Sequence, residues 1–282
     1  MSNFLNDLPD DEVGPRAFDL FCTPRVRDLS AKSLRLLDGA ACEHMPHQQI
    51  LSWPPGNDAP TIDLCAFVWE SHHAQTAPRT ALLLHGWELQ SGRMAAFVEP
   101  LRAAGWRVVA LDLPAHGQSE GERTTLLDWS AAVRSAAERF DSQLVLAHSF
   151  GGTAAAWTLA HGGAPAAERF VILASSIDVE FLVDYSPRFE GVDERVRRAF
   201  EAEFEKRMSW RLREFGVAAA AGHIRAETLV VHDESDTLVP FEHGRRFAHS
   251  IPQARMLATH GLGHLGVLHD PSILDAVVAF AG

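Results

Sequence analysis

Ser149, Asp236 and His264 are three side chains whose types and chain order can be combined into covalent catalysis. A serine hydroxyl is a weak nucleophile until a base takes its proton during attack. Ser149 lies in Ala147-His148-Ser149-Phe150-Gly151, between the apolar run Leu144-Val145-Leu146 and the small-residue run Gly152-Thr153-Ala154-Ala155-Ala156. This order predicts a strand, a sharp turn and a helix with the serine at the bend. Small residues two positions either side let the two backbones approach. His264, in Gly261-Leu262-Gly263-His264-Leu265-Gly266 after the last predicted strand, is the preferred base; His260 and His269 compete with it. The base needs a carboxylate to fix its tautomer and stabilise the imidazolium. Asp236 is preferred because its place in the loop after the strand ending near His232 lets the chain curve back, with Asp233 and Glu234 as alternatives. Attack on an acyl carbonyl also creates an oxyanion that needs fixed donors. The Phe150 N–H follows the nucleophile directly, and the Trp87 N–H follows Leu82-Leu83-Leu84 and the pair His85-Gly86.

These groups need a scaffold of strands and helices. Strands are expected at Leu64–Trp69, Thr80–Leu84, Val108–Leu111, Leu144–His148, Phe170–Ala174, Thr228–His232 and Arg255–Ala258. Several are apolar throughout, as in central strands covered on both faces. Helices are expected at Gly92–Ala104, Leu126–Phe140, Gly152–His161 and Ile273–Phe280. The alternation predicts an α/β fold with a mostly parallel central sheet flanked by helices. Ser30–Ala41 can form an amphipathic helix and Gln49–Trp53 an edge strand. Between Ile177 and Gly222 the strand rhythm stops, and Val196, Phe200, Phe204, Met208 and Leu212 recur every four residues. That spacing gives one apolar helix face, read as a small helical cap over the sheet rather than a routine crossover. Its arginines, interleaved with Glu201, Glu203 and Glu205, are read as a solvated face. The expected division is an N-terminal extension packed on the core (1–48), the core (49–176 and 223–282) and a cap (177–222).

Composition narrows the function classes. The chain has 282 residues, with 25 Lys plus Arg against 37 Asp plus Glu, a formal charge of −12. That balance argues against a broad nucleic-acid surface or general attraction to anionic membranes. No apolar stretch reaches the roughly 18 residues of a membrane span, and the start lacks the pattern of a secretory signal, so a cytoplasmic protein is the expectation. Cys22, Cys42 and Cys65 form no Cys-x-x-Cys unit and are expected to be small buried thiols. The 15 histidines include no His-Glu-x-x-His unit, and neither metal nor organic cofactor is required.

Taken with His85-Gly86-Trp87 and the block Asp112-Leu113-Pro114-Ala115-His116-Gly117-Gln118-Ser119, the nucleophile segment and the two late loops resemble the α/β-hydrolase superfamily, in particular its capped esterase and lysophospholipase-like branches. The resemblance spans about Ile50 to Gly282. It implies Ser149 as nucleophile, Asp236 as acid, His264 as base, and Trp87 and Phe150 as oxyanion donors. The Asp112–Ser119 block then has a structural role. One departure is Ala147, where the family usually has glycine. The implied activity is hydrolysis of carboxylic esters with small or medium, largely apolar acyl groups through an acyl-enzyme. Thioesters, lactones, activated carbon–carbon bonds and acyl transfer are alternatives, as is a silent binding protein on the same fold.

Overall fold

In a computed structural model of the protein, residues 3–25, 35, 37–53, 55–73, 79–184 and 186–282 are described. The strands are β1 (Ala41–Gln48), β2 (Thr61–Trp69), β3 (Thr80–Leu84), β4 (Arg107–Leu111), β5 (Ser142–His148), β6 (Arg169–Leu173), β7 (Glu227–Asp233) and β8 (Ala254–Thr259). They form one 8-stranded sheet in the order β1-β2-β4-β3-β5-β6-β7-β8. β1 and β2 pair antiparallel, as do β2 and β4; every later pairing is parallel. The apolar runs serve two faces. Leu82, Leu84, Val145 and Ala147 enter one core, while Ala81, Leu83, Leu144 and Leu146 enter the other. This is why β3 and β5 show no polar alternation.

The principal helices are α1 (Asp10–Cys22), α2 (Val98–Ala103), α3 (Leu126–Arg139), α4 (Phe150–Ala160), α5 (Glu180–Asp184), α6 (Glu194–Met208), α7 (Phe241–Ser250), α8 (Gly263–Gly266) and α9 (Pro271–Ala281). A capping box starts α3, with the Thr125 hydroxyl and Asp128 carboxylate each accepting from the other's backbone N–H. A 3₁₀ stretch, Ser91–Phe97, replaces the first half of the helix expected at Gly92–Ala104. The edge strand lies at Ala41–Gln48 rather than Gln49–Trp53. Gln49 instead leaves the edge, its amide donating to Arg123 O, while the Ile50 N–H is taken by Asp128. Half of the amphipathic helix expected at Ser30–Ala41 lies outside the described residues; of the rest, residues 37–39 form a turn rather than helix and Ala41 opens β1. Cys22 and Cys65 are buried as expected, but Cys42 is exposed because its strand is the sheet edge.

The cap helix α6 begins at Asp193, whose carboxylate accepts from Val196 N. It ends where Ser209 turns left-handed at φ 58°. Its buried stripe of Val196, Phe200, Phe204 and Met208 packs against α1, with Phe21 edge-on to Phe200 and Phe18 near Phe204. Gly14 makes the crossing possible, since a Cβ there would lie 2.8 Å from Ala199 O. The cap arginines do not simply face water. Arg207 lies between the helices, paired with Glu203 at 2.7 Å, and Arg195 binds Leu8 O, Asn6 O and Asp10. No helix among the described residues is long and apolar enough to cross a membrane.

Candidate active site

Four loops at the carboxyl ends of parallel strands bring the predicted groups together. Ser149 follows β5, Trp87 follows β3, Asp236 follows β7 and His264 follows β8. Such strand ends are where open α/β sheets bind ligands. Ser149 has φ 53° and ψ −127°, a conformation that L-residues adopt only when their surroundings enforce it. Glycine is required just beyond the bend: a Cβ on Gly151 would strike His85 O, and one on Gly152 would strike Ser175 Oγ. Ala147, by contrast, is a fully buried strand residue that accommodates its methyl.

His264 Nε2 lies 3.1 Å from Ser149 Oγ, and His264 Nδ1 lies 2.8 Å from Asp236 Oδ2. Opposite ring nitrogens thus address the hydroxyl and the carboxylate, the arrangement a proton relay needs. Asp236 Oδ1 accepts from Leu238 N and Val239 N at 2.8 and 2.9 Å. Burial works to raise this carboxyl. Donors outweigh it and hold the group well below the usual carboxylate range, with His232 Nε2 at 3.5 Å, His264 and the Val239 N–H all contributing.

The alternatives for acid and base occupy other places. Asp233 is buried and clasps the His264 loop, accepting from Ser235 N, Thr259 Oγ1, Leu262 N and Gly263 N. Glu234 is exposed beside exposed His260, 3.6 Å away. His269 is exposed just before α9. A second cluster, Ser176, His243 and Asp178, lacks relay geometry. Ser176 Oγ at 3.4 Å and Asp178 Oδ2 at 4.0 Å both face the same nitrogen, His243 Nδ1. The Ser176 hydroxyl donates to Asp178 O at 2.6 Å, and the Asp178 carboxylate pairs with Arg246 at 2.7 Å.

The Trp87 loop is fitted closely to Ser149. A Cβ on Gly86 would lie 2.8 Å from Ser149 Cβ, and the Trp87 ring meets Phe150 edge-on at 5.5 Å. Phe150 is the first residue of α4, so its N–H belongs to the unsatisfied donors at the helix's positive end. Two buried histidines brace this loop. His85 Nδ1 donates to Gly86 O and its Nε2 accepts from Leu113 N. His116 Nδ1 donates to Pro114 O and its Nε2 accepts from Glu88 N. Each therefore joins two backbone segments in its neutral form, and burial lowers their pKa values to about 4 and about 3. His148, also lowered by burial to about 3, donates through Nε2 to His264 O at 3.0 Å. Asp112 accepts from Ser91 N and Gln118 N, so the Asp112–Ser119 block is indeed a brace.

A cavity of about 180 Å³ opens onto Ser149. Trp87 and Phe150 line it from the core, Leu182 and Met208 from the 177–222 segment, and Phe18 and Phe21 from α1. The part played by α1 is not apparent from sequence, because Gly14 and Pro15 interrupt an otherwise helical pattern. At the polar end, Glu88 pairs with Arg188 at 2.7 Å and Arg25 at 3.0 Å. Arg188 also donates to Leu20 O and Thr23 O, tying the end of α1 to the Trp87 loop. Among the described residues, no group of three or more His, Cys, Asp or Glu side chains is arranged to hold a metal ion.

Comparison with known proteins agrees with this architecture. Residues 75–202 match the family model described as serine aminopeptidase, S33, and residues 213–281 match that of TAP-like protein. The chain has the α/β-hydrolase fold. An AB hydrolase superfamily protein of Bacillus subtilis is 21% identical over 244 residues, 71% of this chain and 90% of the relative. Among solved structures, this hydrolase fold is similar to the Pyrococcus furiosus esterase Pf2001 (TM-score 0.63, 19% identity, 92% of this chain and 96% of that one). It is also similar to Est1E of Butyrivibrio proteoclasticus with ferulic acid bound (TM-score 0.64, 18% identity, 78% and 94%). At these identities the structural likeness is one of fold.

Proposed function

We propose that this protein is a serine hydrolase that cleaves carboxylic esters of small, largely apolar acyl groups through an acyl-enzyme. The observation that carries the reading is the Ser149–His264–Asp236 relay, with spacings of 3.1 and 2.8 Å, opening onto an apolar cavity. His264 takes the Ser149 proton as Oγ attacks the ester carbonyl, and the Phe150 and Trp87 N–H groups receive the oxyanion. The imidazolium, steadied by Asp236, then protonates the departing alcohol. Water attacks the acyl-enzyme with the same histidine as base, and Ser149 is regenerated.

Cavity size sets the acyl group. An apolar cavity of about 150 Å³ takes up benzene, so about 180 Å³ suits an aromatic or short aliphatic acyl chain, not a long fatty one. The similarity to esterases, one holding ferulic acid, supports this choice. In this reading residues 177–222 cap a core of 49–176 and 223–282, and the 1–48 segment completes the pocket wall through α1.

A fluorophosphonate probe followed by peptide mass analysis, with a panel of p-nitrophenyl esters of increasing chain length, tests the proposal. Ser149 is expected to carry the label, and Ser149→Ala to lower kcat by at least about 10⁴-fold. Labelling elsewhere, or unchanged turnover in Ser149→Ala, overturns it.

A further inference from the structure

On the sheet edge, away from Ser149, Cys42, His44, Asp63 and Cys65 stand together. Residues 42 and 44 share one face of β1, and 63 and 65 the same face of β2, because Cys42 pairs with Phe67 and His44 with Cys65. The Cys42 and Cys65 sulfurs are 2.7 Å apart. Cys42 Sγ lies 3.6 Å from His44 Nε2, and His44 Nδ1 lies 2.5 Å from Asp63 Oδ2. The ester chemistry uses none of these groups.

We propose that Cys42 and Cys65 form a peroxide-oxidised, reversible dithiol pair in which His44, oriented by Asp63, activates Cys42. The carboxylate holds the proton on Nδ1, leaving Nε2 free to accept the Cys42 proton. Only the thiolate attacks peroxides, and a neighbouring imidazolium favours that form. The two cysteines are divided by environment. Cys42 is exposed to solvent and to the oxidant, whereas Cys65 is buried, and burial pushes its thiol pKa well up. Cys65 is therefore the resolving partner.

The chemistry closes with hydrogen peroxide as the named oxidant. The Cys42 thiolate displaces hydroxide from the peroxide bond, giving a sulfenic acid, and the hydroxide takes the proton held on His44 as water. Cys65 sulfur then displaces the sulfenic hydroxyl, which leaves as water with the Cys65 proton. Two thiols and one peroxide become one disulfide and two waters. Proximity favours the second step over further oxidation.

The test treats the full-length protein with hydrogen peroxide and follows it by intact mass and non-reducing peptide mapping. The expected product is lighter by two hydrogens, links Cys42 to Cys65, leaves Cys22 free and reverts with dithiothreitol. In Cys65→Ser the reaction should stop at a Cys42 sulfenic acid that a dimedone probe captures. His44→Asn should slow the oxidation about tenfold at neutral pH while giving the same link, which separates activation from mere proximity. Intermolecular disulfides, sulfinic acid at Cys42 in the wild type, or oxidation unaffected by His44→Asn would each overturn the proposal.

Discussion

At the scale of single residues, two serine–histidine–aspartate clusters occur among the described residues, and ring geometry separates them. His264 presents one nitrogen to Ser149 and the other to Asp236. His243 presents a single nitrogen to both Ser176 and Asp178, so protonation there would leave nothing to receive a serine proton. The consequence is measurable. Asp236→Asn would place an amide where the imidazole needs an anion, and kcat should fall by about 10⁴-fold. Asp178→Asn loses a partly exposed pairing with Arg246, and its kcat should stay within about threefold of wild type. Steady-state turnover of one ester by both variants decides between the clusters, and the reverse ranking would move the reaction to Ser176.

At the scale of elements, the cavity wall is shared between α1, the cap and the core loops, so acyl selectivity and helix packing are linked. Met208, at the end of the α6 stripe, is buried and faces the cavity. Met208→Ala should lengthen the pocket and shift kcat/KM toward longer acyl chains by about tenfold, since one methylene in an apolar pocket is worth about 1–3 kcal/mol. It should also cost about 2–5 kcal/mol of stability. A chain-length series measured with a denaturant midpoint reads both, and an unchanged acyl preference would remove Met208 from the wall. The α6 stripe was legible because four buried residues recur at a spacing of four. The Ser149 bend was legible because small residues and an apolar strand adjoin it, and the Asp236 and His264 loops because they follow apolar strands. The α1 wall was not, because Gly14 and Pro15 look like helix breakers. Gly14 is in fact what lets two helices touch, a property of Ala199 on the facing helix rather than of the local sequence. The bracing roles of His85, His116 and His148 were hidden for a related reason: their partners are mostly backbone groups that only the fold brings near.

Across the whole molecule, those three histidines make the fold acid-sensitive. Each is held neutral by burial, with pKa values of about 4 for His85 and about 3 for His116 and His148. In the unfolded chain each returns to about 6.5. Between these limits the unfolded state binds more protons than the folded one, so stability is full above about pH 6.5 and declines as the pH falls. One proton corresponds to about 1.4 kcal/mol per pH unit, and three give a slope of about 4 kcal/mol per unit near pH 5. Asp112 and Asp128, raised by burial, work in the opposite direction and reduce that slope. The Asp236 carboxylate, held low, adds its own loss only as the pH falls below about 4. Guanidinium unfolding at a series of pH values should therefore show stability dropping from pH 6.5 toward pH 5, above the range where ordinary carboxylates titrate. His116→Gln keeps an acceptor for Glu88 N but cannot take up the proton. It should lower stability at neutral pH through imperfect bracing and flatten the pH slope by about 1.4 kcal/mol per unit. Parallel pH profiles for the variant and the wild type would show that His116 is already protonated in the folded state, and that the Trp87 loop is held by another means.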